Sequence, residues 1–197
     1  MKLLFVGPPG AGKGTQAARV AERLGIPHIS TGDMFRDHVQ RGTELGMRVD
    51  SIMKEGDYVP DEITVEMLGE RIAESDASEG FILDGFPRTV GQAEALDALI
   101  GRHGLDIVVV FDVDEDALVE RLLARGRADD TEDTIRNRFK IYQEQTAPLL
   151  DIYNSRGIVT HIEGIGEVEE ITDRILSALS KYQVPGAEYA SEPEVRS

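Results

Sequence analysis

Cysteine is absent from this 197-residue chain. That excludes a disulfide framework, a thiolate metal site and a cysteine nucleophile. Positive charge is scarce: 21 Lys and Arg stand against 37 Asp and Glu, a net charge of −16. A duplex-binding or membrane-docking protein needs a broad basic face, so neither nucleic acid nor membrane is expected as a partner. Any polyanionic ligand must be held by a few clustered cations and by backbone dipoles. Long apolar runs are missing too. In the opening MKLLFVGPPG only Leu3 to Val6 is continuously apolar, too short for a signal-peptide core. No stretch of about 18 apolar residues follows. A soluble, cytoplasmic protein is expected, with its acidity read as an ordinary solvated surface.

At about 150 residues per domain the length suits one core with small insertions. Five short apolar runs stand out: Leu3 to Val6, Ile26 to Ile29, Phe81 to Leu83, Ile107 to Phe111 and Ile158 to Ile162. The fourth, IVVVF, is continuous, as in a strand buried on both faces. Amphipathic stretches separate the runs. Leu45, Val49, Ile52 and Met53 make one apolar stripe, Ile63, Met67, Leu68 and Ile72 a second, Val168, Ile171, Ile175 and Leu179 a third. Strands alternating with helices imply a parallel sheet covered on both faces.

Two segments break the alternation. Between the second and third runs about fifty residues read as helices alone, broken at Gly42 and near Gly56 to Pro60. They are read as a small helical insertion. Arg125 to Asp130 is a short polar loop, after which Asp130 or Thr131 can cap a helix whose first turn carries Glu132 and Asp133. Past Tyr182 the chain is poor in apolar residues and reads as a disordered tail.

Residues 7–15, GPPGAGKGT, follow a strand and precede a helix read as Gln16 to Leu24. A glycine-rich turn there points backbone N–H groups into one concavity at the positive end of a helix. Glycine permits the positive φ angles and the close approach of phosphate, and Lys13 adds a mobile charge for the β- and γ-phosphates. Gly14 stands where a hydroxyl ligand to Mg²⁺ usually does, with Thr15 one step later. Asp84 closes the third run, at the strand end where an acid orients a Mg²⁺ shell through water.

Sixteen of the 21 basic residues are arginine, and Arg121, Arg125, Arg127, Arg136 and Arg138 all lie within residues 121–138. Such a cluster suits bidentate clamping of a polyphosphate. Arg136 and Arg174 are read instead as surface ion pairs. His28, His38, His103 and His161 have no ligand-like spacing and are read as packing or surface residues.

GPPGAGKGT, then Ser30 to Met34 (STGDM), then Asp84 to Arg88 (DGFPR) with Gln92, then Gly126 to Asp130 (GRADD), resemble the adenylate kinases over about residues 1–180. The resemblance implies a P-loop α/β fold: a doubly wound five-stranded parallel sheet with helices on both faces, a helical AMP-binding insertion and a short lid. Its implied boundaries are a core of 1–29, 60–124 and 131–182, an insertion of 30–59, a lid of 125–130 and a tail of 183–197. It implies ATP contacts from Gly10, Ala11, Gly12, Lys13, Gly14, Thr15, Arg121, Arg125 and backbone at Gly164. AMP contacts are implied for Thr31, Arg36, Asp57, Tyr58, Val59, Gly85, Phe86, Pro87, Arg88 and Gln92, with Arg127 and Arg138 closing from the lid. Lys13, Arg88, Arg125, Arg127 and Arg138 would carry catalysis.

The implied reaction is reversible phosphoryl transfer from MgATP to AMP, giving two ADP, by a monomer. A kinase of UMP or CMP, a GTP-dependent AMP kinase and a non-enzymatic nucleotide switch are the alternatives. Mg²⁺ is the expected cofactor. No structural zinc is expected, since the lid has no cysteine and the histidines are badly spaced. Chelation by EDTA is therefore expected to stop turnover yet leave the melting temperature of the unliganded protein within a few degrees. A large fall in thermal scanning would reveal a structural metal.

Overall fold

The computed structural model describes residues 1–113, 115–127 and 130–182. The expected tail, and Ala128 and Asp129 of the polar loop, lie outside the described residues. Each apolar run supplies a strand: β1 (Lys2–Val6), β2 (His28–Ser30), β3 (Phe81–Asp84), β4 (Ile107–Asp112) and β5 (Val159–Glu163). They form one parallel five-stranded sheet in the order β2-β3-β1-β4-β5.

Successive side chains of a strand point to opposite faces, and the two faces bury different partners. Leu3, Phe5, Ile107, Val109 and Phe111 pack on one side, under α1 (Lys13–Leu24), α6 (Glu115–Arg125), α7 (Glu132–Ile141) and α9 (Val168–Ser180). Leu4, Val6, Leu83, Val108 and Val110 pack on the other, under α4 (Asp61–Ile72), α5 (Val90–Ile100) and α8 (Leu149–Ser155). Each such side chain stabilises the fold by about 1.5–3 kcal/mol on burial. Ser75–Ala77 is a 3₁₀ turn, and Tyr142–Thr146 a π-helical turn between α7 and α8.

The insertion holds α2 (Thr31–Gln40) and α3 (Glu44–Glu55), parted at Gly42 (φ 63°) and ended by Gly56 (φ 80°). Ser30 and Thr43 cap the two helices by accepting from Asp33 N–H and Gly46 N–H. Phe35, Val49, Val59 and Met67 form a small core of their own beneath them. Two readings need correction. α1 begins at Lys13, three residues before the expected start, because left-handed Gly12 (φ 87°) takes the cap position. Val168, placed on the apolar stripe of α9, is 42% exposed, and its carbonyl is what serves: it accepts from Gln16 Nε2 at 2.9 Å. Among the described residues no helix is long and apolar enough to cross a membrane.

α2 and α3 meet at Gly46, where a Cβ would overlap the His38 carbonyl and the Val39 nitrogen. Backbone cannot yield as a flexible side chain does. Gly46→Ala is expected to force the two helices apart and to cost about 1–3 kcal/mol, the range of overpacking. Urea denaturation of the variant measures this; an unchanged midpoint would refute the contact.

Candidate active site

The strands are parallel, so β1, β3 and β4 all end on one rim, and a cleft of about 880 Å³ opens there. Crevices at strand carboxyl ends are the usual ligand sites of such sheets. The turn after β1 forms its floor. Gly10 (φ 83°) and Gly12 (φ 87°) are left-handed, where other residues are strained. No side chain caps α1, so its first N–H groups remain available to an anion. Gly10, Ala11, Gly12, Lys13, Gly14 and Thr15 all line the cleft.

Lys13 Nζ donates to the carbonyls of Gly7 (2.7 Å) and Pro8 (3.0 Å). Desolvation pushes its ammonium down to about 8; Asp84 opposes this, while Arg88 and Arg125 add to it. Asp84 sits opposite, at the end of β3, in register with Phe5 of β1. Burial pushes the Asp84 carboxyl up, but His28, Lys13 and Arg88 together hold it below its ordinary value, and so ionised. His28 Nε2 lies 3.4 Å from Asp84. The histidine reading therefore needs correction for His28, which lines the cleft beside an acid. A Cβ on Gly14 would stand 3.3 Å from Asp84 Oδ2, so glycine at that position keeps the carboxylate accessible.

A second lobe of the cleft lies against the insertion. Thr31 Oγ1 donates to the Gly85 carbonyl at 2.9 Å. Arg36 pairs with Asp33, whose carboxyl stays below its ordinary value because Arg36, Ser30 and Arg127 outweigh burial. Asp57, Tyr58 and Val59 follow α3 along the wall. Arg88 is fastened four ways: its N–H donates to Gln92 Oε1 (2.7 Å), its Nε to Gly85 O (2.7 Å), its carbonyl accepts from Thr146 Oγ1 (2.9 Å), and its guanidinium lies 4.9 Å above the Tyr58 ring. Gln92 is already committed at both ends, since Nε2 donates to Asp61 at 2.7 Å. Gly85 and Pro87 also reach the cleft, on either side of Phe86, whose bond to Pro87 is cis. Phe86 does not. It is 1% exposed and packs its side chain in the core on the α5 side of the sheet, which leaves only its backbone for the acceptor pocket.

The third wall is arginine. Arg121 Nη1 donates to Gly164 O at 3.4 Å. Arg125 grips Asp130 with two bonds of 2.9 and 2.7 Å, and Arg138 reaches the same carboxylate at 3.1 Å. Arg127 N–H donates to Asp130 at 3.3 Å, and its guanidinium lies 3.8 Å from Asp33 across the cleft. Asp130 thus gathers the cluster with no exposed side-chain surface, and Thr131 takes the capping role on α7. Arg136 pairs with Glu132 as expected; Arg174 donates to the carbonyls of Glu163 and Ile165 in addition to facing Glu170.

Sequence reasoning missed four residues here. Gln16 is buried, bonded to Val168 O and Thr172, and ties α1 to α9. Asp61 holds both Thr89 (2.7 Å) and Gln92. Asn137 donates to Glu55 O (3.0 Å) and Asp57 (2.7 Å), closing the insertion onto α7. Thr146 bonds Arg88 and Tyr58. Asp61 follows Pro60 and reads as a helix start, so nothing flagged it; the other three lie inside helical patterns.

A P-loop, a second pocket facing it and an arginine wall on a five-stranded parallel sheet define a P-loop phosphotransferase of the α/β class. Comparison with known proteins agrees. The family described as adenylate kinase matches residues 5–158. A Nocardia farcinica adenylate kinase is 52% identical over 183 residues, 92% of this chain and 100% of that one. Adenylate kinases of Corynebacterium glutamicum and a Nocardioides species are 55% and 56% identical over 92% and 91% of this chain, and 100% and 97% of theirs. The chain belongs to the adenylate kinase family.

Lys13 generates a pH prediction. A phosphate beside the ammonium favours its charged form, so binding raises a value that starts near 8. Above that pH the free protein has lost a proton that the complex retains. ATP binding at about pH 8.5 is expected to take up protons, and affinity to fall as pH rises. Calorimetry in buffers of different ionisation enthalpy measures the uptake; none at that pH would contradict it.

Proposed function

We propose that the two lobes hold donor and acceptor nucleotide for reversible phosphoryl transfer from ATP to AMP, the reaction of this family. The observation that carries this reading is Lys13 in the cradle facing Arg88 in the second lobe of one cleft. ATP lies with its phosphates on the 10–15 backbone and its base near Arg121 and Gly164. AMP lies among Thr31, Arg36, the Asp57–Val59 turn, Gly85, Pro87, Arg88 and Gln92. Adenine recognition by Gln92 requires its amide to share or exchange the bonds it makes to Arg88 and Asp61.

No nucleophilic side chain is needed. Charge spreads over the oxygens of the phosphoryl in flight, so alignment and cationic stabilisation do the work. Lys13, Arg88, Arg125, Arg127 and Arg138 supply the cations. Asp130 holds Arg125 and Arg138 in place, so their orientation costs little at the moment of transfer. Arg127 and Asp33 face each other from opposite rims, which suits closure over the nucleotides and exclusion of water. The ionised Asp84, kept accessible by Gly14, fits a Mg²⁺ held through water, with Thr15 nearby. Bound Mg²⁺ would neutralise donor phosphate charge.

We assign 30–59 as the AMP-binding insertion and 125–130 as a short lid on a core of 1–29, 60–124 and 131–182. A monomer placed in the cytoplasm completes the proposal. A coupled assay of ADP formation over a panel of donor and acceptor nucleotides tests the whole reading. ATP with AMP should dominate; turnover of UMP or CMP, dependence on GTP, or binding without turnover would replace it.

Arg88 gives the sharpest mutational expectation. Lysine keeps the charge and loses the planar fork. Misplacing reacting groups by about 1 Å can cost ~100-fold. Arg88→Lys is expected to lower turnover by at least that order with ATP affinity little changed. Steady-state kinetics, with circular dichroism as folding control, measures it. Turnover near that of the parent would move the acceptor phosphate elsewhere.

A further inference from the structure

The π-helical turn Tyr142–Thr146 plays no part in the chemistry above. It delivers Thr146, 6% exposed, to the back of the acceptor pocket. Widened turns of this kind recur at functional sites. Thr146 Oγ1 donates to the Arg88 carbonyl at 2.9 Å and lies 2.9 Å from the Tyr58 hydroxyl. A hydroxyl has one proton. Thr146 spends it on Arg88, so Tyr58 must be the donor to Thr146. The result is a directed chain from Tyr58 through Thr146 to Arg88, each bond polarising the next.

This chain joins three separate parts. Tyr58 belongs to the wall after α3, Arg88 to the turn after β3, and Thr146 to the bridge between α7 and α8. The Tyr58 ring lies beneath the guanidinium of the same Arg88 whose backbone carbonyl Thr146 holds. One hydroxyl therefore sets both the backbone of Arg88 and the aromatic surface under its head group. With Arg88 N–H on Gln92 and Nε on Gly85, Thr146 supplies the remaining anchor.

We propose that Thr146 is the positioning residue for Arg88, aligning its guanidinium with the acceptor phosphate through this relay. The proposal rests on the assignment of Arg88 to AMP. Thr146→Val keeps shape and removes the hydroxyl. It is expected to lower kcat/KM for AMP by ~10-fold or more, the effect of stranding buried polar partners, with the KM for ATP within about twofold. Thr146→Ser restores the hydroxyl and should recover most of the loss. Tyr58→Phe should lose less, and adding it to Thr146→Val should cost less than the product of the two effects, because the two share one relay.

Nitrogen-15 NMR of the Arg88 Nε–H in the full chain supplies a readout that does not depend on turnover. In Thr146→Val this proton should exchange with water faster; in Thr146→Ser it should not. Unchanged exchange with unchanged AMP kinetics would overturn the relay. Loss of AMP kinetics in Thr146→Ser equal to that in Thr146→Val would also overturn it, marking a packing role. Faster Arg88 exchange with only the KM for ATP altered would uphold the relay and refute the acceptor assignment. Thermal denaturation of each variant separates these outcomes from unfolding.

Discussion

The pairing of β1 with β3 is the constraint on which the cleft depends. The two strands are parallel and in register from Lys2 against Phe81 to Phe5 against Asp84. This brings the glycine-rich turn and the Asp84–Arg88 turn out of the sheet side by side, although some seventy residues of chain separate them. A one-residue slip would turn Asp84 to the opposite face of the sheet and reverse the sorting of Phe81, Ile82 and Leu83 between two different cores. The burial of those side chains is thus what fixes the distance between an ammonium and a carboxylate. Active-site geometry and hydrophobic packing are here one requirement.

Electrostatics follow from that placement. The chain is strongly acidic, yet its cleft gathers Lys13, Arg36, Arg88, Arg121, Arg125, Arg127 and Arg138. Cations crowded without partners would repel one another and lose solvation. Three carboxylates prevent this. Asp84 faces Lys13, Asp33 spans Arg36 and Arg127, and Asp130 binds Arg125 and Arg138. The acids leave the arrangement positive enough for polyphosphate while giving Arg36, Arg125, Arg127 and Arg138 a direction; Arg88 and Arg121 take theirs from the carbonyls of Gly85 and Gly164. The remaining negative charge is dispersed over the surface, where water and salt screen it.

Much of this was legible in the residues. Strand runs have a composition that few other elements share, and IVVVF could be little else than a central strand. The turn at residues 7–15 announces itself because its glycines, lysine and flanking elements carry one physical purpose. Helix starts were less legible: Lys13 begins α1 because a glycine conformation, invisible in composition, sets the boundary. The DGFPR motif is contiguous in sequence while its side chains diverge in space, Phe86 to the core and Arg88 to the cleft. Asp61, Asn137 and Thr146 went unseen for another reason. Each works through a partner 28 to 88 residues away, and local patterns carry no record of such partners. Thr146 in particular owes its position to a single π turn that nothing in YQEQT foretells.

The separate core beneath α2 and α3 has a consequence for how the molecule is held together. Phe35, Val49, Val59 and Met67 are few beside the two large clusters on the sheet. Cooperative units with little buried surface open at lower free energy than the global fold. So small a core gives α2 and α3 less buried surface to hold them than the sheet gives its own helices. By that principle this segment is expected to open at lower cost than the sheet. A substitution that enlarged its core would then trade heat resistance against the ease with which the wall carrying Arg36 and Val59 opens.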